Sequence, residues 1–199
     1  MSNTVAHALQ QPLARALDRL DAQLLLLHAL GRAGTERSWL LAHDADALSP
    51  AQEAAYLALC ARRAAGEPVA YLVGEKEFFG LMLHVDRRVL VPRPETETLV
   101  EWALELLAGQ ARPTVIDLGT GSGAIALALQ HARPDAGVEA VDASADALAV
   151  ARANGQRLGL PVAFRQASWL DGTVGPIDLI VSNPPYVAAG DPHLAALAH

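Results

Sequence analysis

Between residues 115 and 181 the chain alternates short apolar runs with helical ones, and few folds accept that order. Val115 to Leu118, Val138 to Val141, Val162 to Phe164 and Ile177 to Val181 are short, apolar and bounded by turn residues. Between them lie Ala124 to His131 and Ala145 to Arg157, whose apolar residues recur at helical spacing. Strands separated by helices do not close as hairpins; they form a parallel sheet with crossover helices. Four strands of such a sheet are expected before His199, with 193–199 reading as the start of another helix.

The segment ahead of this alternation has a different grammar. Leu13, Leu17, Leu20, Leu24 and Leu27 recur at steps of three and four, which predicts one helical face. A second helix is announced by Ser49 as N-cap, Pro50 at the first helical position and Gln52 at the capping-box spacing. Gly66 and Pro68 close it. Tyr71 to Pro94 then turns β-favouring, with Phe78, Phe79, Leu81, Leu83 and Val85 interrupted by Gly80, and reads as a hairpin linker. Glu95 to Leu107 is helical again and ends at Gly109, with acidic residues in its first turn where the helix dipole favours them. The expected organisation is a helical domain over 1–70, a hairpin linker over 71–94 and an α/β domain over 95–199.

A length of 199 residues suits one main domain and an accessory. With 52% hydrophobic and 19% charged residues, neither disorder nor a fibrous repeat fits. The longest apolar clusters fall far short of the roughly 18 residues of a bilayer span, and no basic region leads an apolar stretch at the N-terminus, so a soluble cytoplasmic protein is expected. A formal net charge of −7 repels polyanions and no Lys/Arg run offsets it, which disfavours unaided DNA binding. The lone Cys60 lies in an Ala-rich helical pattern and reads as a buried structural thiol, and the seven His lack metal-ligand spacing.

The chemistry concentrates at three places. Asp117-Leu-Gly-Thr-Gly-Ser-Gly-Ala124 follows a strand and opens a helix, the context in which a Gly-rich loop meets a nucleotide-like ligand, and Gly119, Gly121 and Gly123 permit close backbone approach. The spacing of Gly119, Gly121 and Ala124 also satisfies a loose dinucleotide pattern, so a nicotinamide enzyme stays open on this loop alone. Asp142 ends the next strand about 20 residues on, where a carboxylate can hold both hydroxyls of a ribose; otherwise it caps the next helix. Asn183-Pro184-Pro185-Tyr186 follows the fourth strand, at the end where open α/β sheets bind ligands.

An amide or aromatic amino nitrogen is a poor nucleophile because its lone pair is delocalised, so it must be oriented before a methyl group can be transferred in line. The Asn183 side-chain oxygen and the Pro184 carbonyl can each accept one N–H. The prolines stiffen the pair, and Tyr186 can stack on the flat acceptor. These elements point to a Rossmann-like methyltransferase dependent on S-adenosylmethionine, acting on a planar amide or amino nitrogen.

Those residues resemble the HemK-type protein-(glutamine-N5) methyltransferases, which modify the Gln of the Gly-Gly-Gln motif in peptide chain release factors. The resemblance rests on Asn183 to Tyr186, on Asp117 to Ala128, and on Val91-Pro-Arg-Pro-Glu-Thr-Glu97. Glu77-Phe-Phe-Gly80 and Ala151-Arg-Ala-Asn154 fit as well. It implies a class I methyltransferase sheet with an N-terminal helical domain. It also implies that Gly119, Thr120, Gly121, Ser122 and Gly123 cradle S-adenosyl-L-methionine, that Asp142 holds its ribose and Trp169 lies by its adenine. Asn183, Pro184, Pro185 and Tyr186 would grip the acceptor glutamine, and Asn183 would also face the cofactor. The implied partner is a release factor in translation termination, docked in part by the N-terminal helices; a monomer is expected, without direct nucleic-acid or membrane binding. The Pro-Arg-Pro-Glu-Thr-Glu segment should lie near the acceptor pocket.

Two departures stand out. Ser168 occupies a position before Trp169 that is commonly acidic in such enzymes, and similar enzymes add strands beyond the fourth, which here would be an exposed edge. The rival readings are an amino-methyltransferase acting on adenine or cytosine in nucleic acid, and a fragment that binds cofactor or partner without turnover.

Overall fold

The computed structural model describes residues 3–184. They fall into two compact units, one reaching Val73 and the other beginning at Gly74.

The first unit is helical: α1 (Val5–Leu9), α2 (Pro12–Arg15), α3 (Arg19–Ala29), α4 (Arg37–Ala42), α5 (Pro50–Ala64) and α6 (Val69–Val73). The single helical face expected from Leu13 to Leu27 is broken at Asp18. Its carboxylate accepts the Leu20 N–H at 2.8 Å and caps α3 afresh, so Leu13 and Leu20 stay 42% and 43% exposed while Ala22, Leu25, Leu26 and Leu27 are buried. The local cap overrides the three-four spacing. α5 starts as its sequence predicts. Ser49 Oγ accepts the Gln52 N–H, and Gln52 Oε1 accepts the Ser49 N–H at 2.9 Å, a complete capping box. It ends in a Schellman pair, Glu67 N–H to the Arg62 carbonyl and Gly66 N–H to the Arg63 carbonyl, with Gly66 at φ +99°. Cys60 is fully buried in this core, beside Tyr56.

The second unit opens with a hairpin, β1 (Glu75–Phe78) and β2 (Leu81–His84), turned by Phe79 and Gly80, both at positive φ as a two-residue primed turn requires. Phe79 is an unusual occupant of that conformation. It is held by the Glu97 carboxylate, which accepts its N–H at 3.0 Å, and by partial burial of its ring. A short 3-10 turn (Pro94–Thr96) leads into α7 (Glu97–Leu106). There follow β3 (Thr114–Leu118), α8 (Ala124–Ala132), β4 (Gly137–Asp142), α9 (Ala145–Leu158), β5 (Ala163–Gln166) and β6 (Leu179–Ser182).

The four strands β3 to β6 form one parallel sheet in the order β5-β4-β3-β6. One face carries Val115, Val138, Ala140 and Val181 into a core completed by Val100, Ala103 and Leu107 of α7, the apolar residues of α8, and Phe78, Leu81 and Leu83 of the hairpin. The hairpin, expected as a linker, therefore belongs to the core of this unit, because its alternate apolar side chains have the sheet's helices to pack on. The other face holds a smaller cluster, Ile116, Leu118 and Val141, and leaves Ile180 46% exposed. No helix among the described residues is long and apolar enough to cross a membrane.

Candidate functional site

In this strand order the chain runs outward from β3 to β4 and β5 on one side and places β6 on the other. The crevice beyond the carboxyl ends of β3 and β6 is thus the switch point of an open α/β sheet, where ligands of such folds bind. The Gly-rich loop leaves β3 there and Asn183-Pro184 leaves β6. Leu118 and Ser182 face one another in register, and the Ser182 hydroxyl donates to the Leu118 carbonyl at 2.8 Å. A Cβ built on Gly119 would come within 4.0 Å of the Pro184 Cα. The two motifs that the sequence separates by some sixty residues are neighbours across a strand pair.

The loop is shaped from within. Gly119 and Thr120 both donate their N–H groups to the Val141 carbonyl, at 2.8 and 3.0 Å, and the Gly123 N–H goes to the Thr120 carbonyl at 2.9 Å. Asp142 accepts the Gly121 N–H on Oδ2 and the Ser144 N–H on Oδ1, each at 2.9 Å. Asp142 is therefore a strut between the loop and the start of α9, and each oxygen keeps a second acceptor direction. Gly123 shows why the loop needs glycine: it caps α8 at φ +84°, and a Cβ would meet Leu127 Cδ1 at 3.1 Å and Ala151 Cβ at 3.2 Å. A dinucleotide pyrophosphate is held by loop N–H groups turned toward it. Here the N–H groups of Gly119, Thr120, Gly121 and Gly123 already have partners inside the chain, which leaves fewer of them for a pyrophosphate.

Beneath the loop lies Asp117, fully buried between Ala140 and Val181 on the neighbouring strands. Its Oδ2 accepts the Thr120 hydroxyl at 2.6 Å, while Oδ1 closes no hydrogen bond of good geometry among the described residues. Burial pushes its carboxyl up from 3.8 to about 6, against the pull of the Thr120 hydroxyl and the Ala126 N–H and with a push from Asp142. Thr120 and Ser122 are buried with it.

Asn183 and Pro184, by contrast, are exposed. The Asn183 Nδ2 donates to the Thr96 hydroxyl at 2.9 Å, which brings the Pro-Arg-Pro-Glu-Thr-Glu segment to the Asn183-Pro184 turn and leaves the amide oxygen pointing elsewhere. Glu97, the next residue, holds the Phe79 turn. Pro185 and Tyr186 lie outside the described residues, as does the helix expected over 193–199. Trp169 stands 63% exposed at φ +50°, in the segment after β5. Just ahead of it the Ala167 N–H donates to the Asp142 carbonyl at 3.1 Å, so Ser168 and Trp169 follow directly from the sheet edge beside Asp142.

Sequence reasoning assigned no role to three of these residues. Thr96 and Glu97 belong to the Pro-Arg-Pro-Glu-Thr-Glu segment expected near the acceptor pocket, but nothing in the sequence marks either one for an individual role. Asn154 does. The buried positions of α9, Ala147, Leu148, Val150, Ala151 and Gly155, mark its inward face, and Asn154 falls on that face fully buried. An amide on an apolar stripe must find partners.

The comparisons with known proteins agree on one family. The methyltransferase small domain matches residues 97–198, and a domain described as the PrmC N-terminal domain matches residues 5–74. A release factor glutamine methyltransferase of Bordetella pertussis is 54% identical over 181 residues, covering 90% of this chain and 66% of the relative. One from Burkholderia pseudomallei is 50% identical, covering 92% and 66%. One from Escherichia coli is 43% identical over 189 residues, covering 94% of this chain and 67% of its own length. The chain thus spans about two thirds of the length of the relatives it matches.

Proposed function

Starting from the fact that the chain belongs to the release factor glutamine methyltransferase family, we propose that it transfers a methyl group from S-adenosyl-L-methionine to the side-chain amide N5 of the glutamine in a release factor's Gly-Gly-Gln motif. The observation that carries this reading is the convergence of a Gly-rich loop and an Asn-Pro pair at the ends of two adjacent parallel strands, with Asp142 one strand away.

The residues fit an adenosyl group without phosphates. The N–H groups of Gly119, Thr120, Gly121 and Gly123 are engaged internally, Asp142 keeps acceptor capacity for ribose hydroxyls at the end of β4, and Trp169 offers a flat face beyond it for the adenine. When bound, the sulfonium cofactor supplies an activated methyl and a good leaving group. What remains for the protein is alignment. Asn183 Oδ1 and the Pro184 carbonyl accept the two N–H groups of the glutamine amide and turn its nitrogen toward the methyl, and Thr96 holds the Asn183 amide in that sense. The resemblance assigns the flat face of the acceptor to Tyr186, which lies outside the described residues. As the nitrogen gains positive character its N–H groups become stronger donors, so these acceptors favour the transition state over the ground state. Positioning of this kind can contribute on the order of 7 to 11 kcal/mol, and no tuned general base is required ahead of attack.

The N-terminal helical unit is assigned to docking the release factor, and the enzyme to the cytoplasm, where release factors act. The sequence's formal net charge of −7 supports a protein substrate over a nucleic acid. The deciding experiment offers radiolabelled S-adenosylmethionine with either a release factor or duplex and single-stranded DNA. Label in the release factor, lost when its Gly-Gly-Gln glutamine is replaced, is the expected result; label in DNA alone would overturn the reading.

A further inference from the structure

Asn154 sits in the middle of α9, fully buried, where an alanine would match its helical neighbours and be a better helix former. Its side chain instead binds three backbone groups. Oδ1 accepts the His84 N–H at 2.7 Å, and Nδ2 donates both to the His84 carbonyl at 2.9 Å and to the Ser122 carbonyl at 3.0 Å. The chemistry of the partners settles which way round the amide stands, because two carbonyls can only be met by its nitrogen. Toward β2 the amide behaves as a further antiparallel strand residue, engaging both backbone groups of His84. Toward the loop it holds the carbonyl of the Ser122–Gly123 peptide, in a stretch flanked by Gly121 at φ +55° and Gly123 at +84°. Other hydrogen bonds hold the rest of the loop: Thr120 by Asp117 and Val141, Gly121 by Asp142, and the Gly123 N–H by the Thr120 carbonyl.

We propose that Asn154 is a positioning residue for cofactor binding, whose buried amide latches the Ser122 carbonyl of the Gly-rich loop to the backbone of His84 and so couples the β1–β2 hairpin to the shape of the cofactor site. The proposal rests on the reading of that loop as the cofactor site. Asn154 does not touch the cofactor; it acts through Ser122. With the latch gone, the Ser122–Gly123 peptide keeps its Gly123 N–H bond to the Thr120 carbonyl, but its own carbonyl loses its tie to the hairpin and the loop is held less firmly in its binding shape.

The test measures S-adenosylhomocysteine affinity by calorimetry, alongside the melting temperature without ligand, for the native chain and three variants. Asn154→Ala removes all three hydrogen bonds. Asn154→Asp keeps the shape and the acceptor for the His84 N–H but sets an oxygen against two carbonyls. Arg157→Ala loosens the same helix from the same hairpin, since Arg157 donates to the Met82 carbonyl; it also removes a long 3.5 Å contact to Asn154 Oδ1 but leaves the Asn154 bonds to His84 and Ser122 in place. The expected result is a dissociation constant raised about tenfold or more in both Asn154 variants, the size of one or two net hydrogen bonds. Arg157→Ala should lower the melting temperature yet leave affinity within about twofold of native, the range of ordinary indirect effects. Affinity of Asn154→Asp, taken relative to native at each pH, should recover as pH falls, because a protonated carboxyl restores one donor. Asn154 variants that melt earlier but bind within twofold, or an Arg157→Ala loss as large as theirs, would overturn the proposal. A native chain that does not bind S-adenosylhomocysteine at all overturns the loop reading itself, a different and recognisable result. If Asn154→Ala does not fold, hydrogen exchange on the native chain decides. S-adenosylhomocysteine should raise protection of the His84 N–H together with the loop amides, and protection confined to the loop would refute the coupling.

Discussion

The two sides of the crevice are built in different ways. On the β3–β4 side, Asp117, Thr120, Gly121, Ser122, Asp142 and Asn154 form a largely buried network in which nearly every polar group has a partner inside the unit. On the β6 side, Asn183 and Pro184 are exposed, and Asn183 is oriented by one hydrogen bond to a threonine hydroxyl. The first side is shaped before any ligand arrives, because its hydrogen bonds are closed and shielded from water. The second stays open to water, with Asn183 tied to Thr96. Substitutions on the loop side should therefore move stability and cofactor affinity together, whereas those on the β6 side should act on the chemical step with little effect on either.

Asn183→Ala gives that contrast its largest expected effect. Single-turnover methyl transfer to the release factor should fall roughly 10²- to 10³-fold, by analogy with removing one preorganised group from an oxyanion site. Cofactor affinity should stay within a few-fold. If turnover survives, or affinity collapses in parallel, Asn183 is a turn residue and the contrast fails.

On the opposite side, Asp117 is predicted to make the loop's foundation dependent on pH. Its folded value near 6 lies above the ordinary 3.8, so the native state binds the proton more tightly than the unfolded chain does. The stabilising contribution of the protonated form is complete below 3.8 and is lost as pH rises through about 6. Asp117→Asn, which keeps an acceptor for Thr120 and carries no charge, should therefore be more stable than native above that window by up to about 3 kcal/mol, and the difference should shrink on acidification. Urea midpoints of both proteins across the window check this; a difference independent of pH would show that Asp117 is not the titrating group.

Asp142→Ala should weaken S-adenosylhomocysteine binding by about 1 to 3 kcal/mol, the range of lost charge-assisted hydrogen bonds. It should also lower the melting temperature, since it releases the Gly121 and Ser144 N–H groups. Affinity that stays unchanged despite the lower melting temperature would leave Asp142 as a strut alone. The smallest effect is expected at Thr96. Thr96→Val should reduce turnover by about threefold to tenfold, since it removes a single exposed hydrogen bond of roughly 0.5 to 1.5 kcal/mol, with melting temperature and cofactor affinity unchanged. A Thr96 variant that also loses cofactor affinity would show that the two sides are not energetically separate.

Some of this was legible residue by residue. The capping box at Ser49 and Gln52 and the strand-loop-helix passage from Thr114 to Ala132 are local matters, decided by side chains within a few positions of one another. The Leu13 to Leu27 stripe misled because a helical period also spans two short helices when a cap such as Asp18 interrupts it unseen. The hairpin looked like a linker because nothing within it says what its apolar side will pack on. Asn154 could be flagged as a polar residue on an apolar stripe, but its partners lie 70 and 32 residues away, and no spacing rule reaches them.

By itself, then, the sequence determined the parallel α/β class, the glycine positions of the loop, and the residue types at the ends of β3, β4 and β6, because strand period, cap chemistry and backbone freedom are local properties. Only the tertiary structure decided that β6 pairs with β3, which brings Pro184 against Gly119, and that the loop's N–H groups turn inward. The same holds for the burial of Asp117 deep enough to raise its carboxyl and for the Asn154 latch between hairpin and loop. Each of these depends on which distant backbone fills the space beside a residue, and on how much water that leaves.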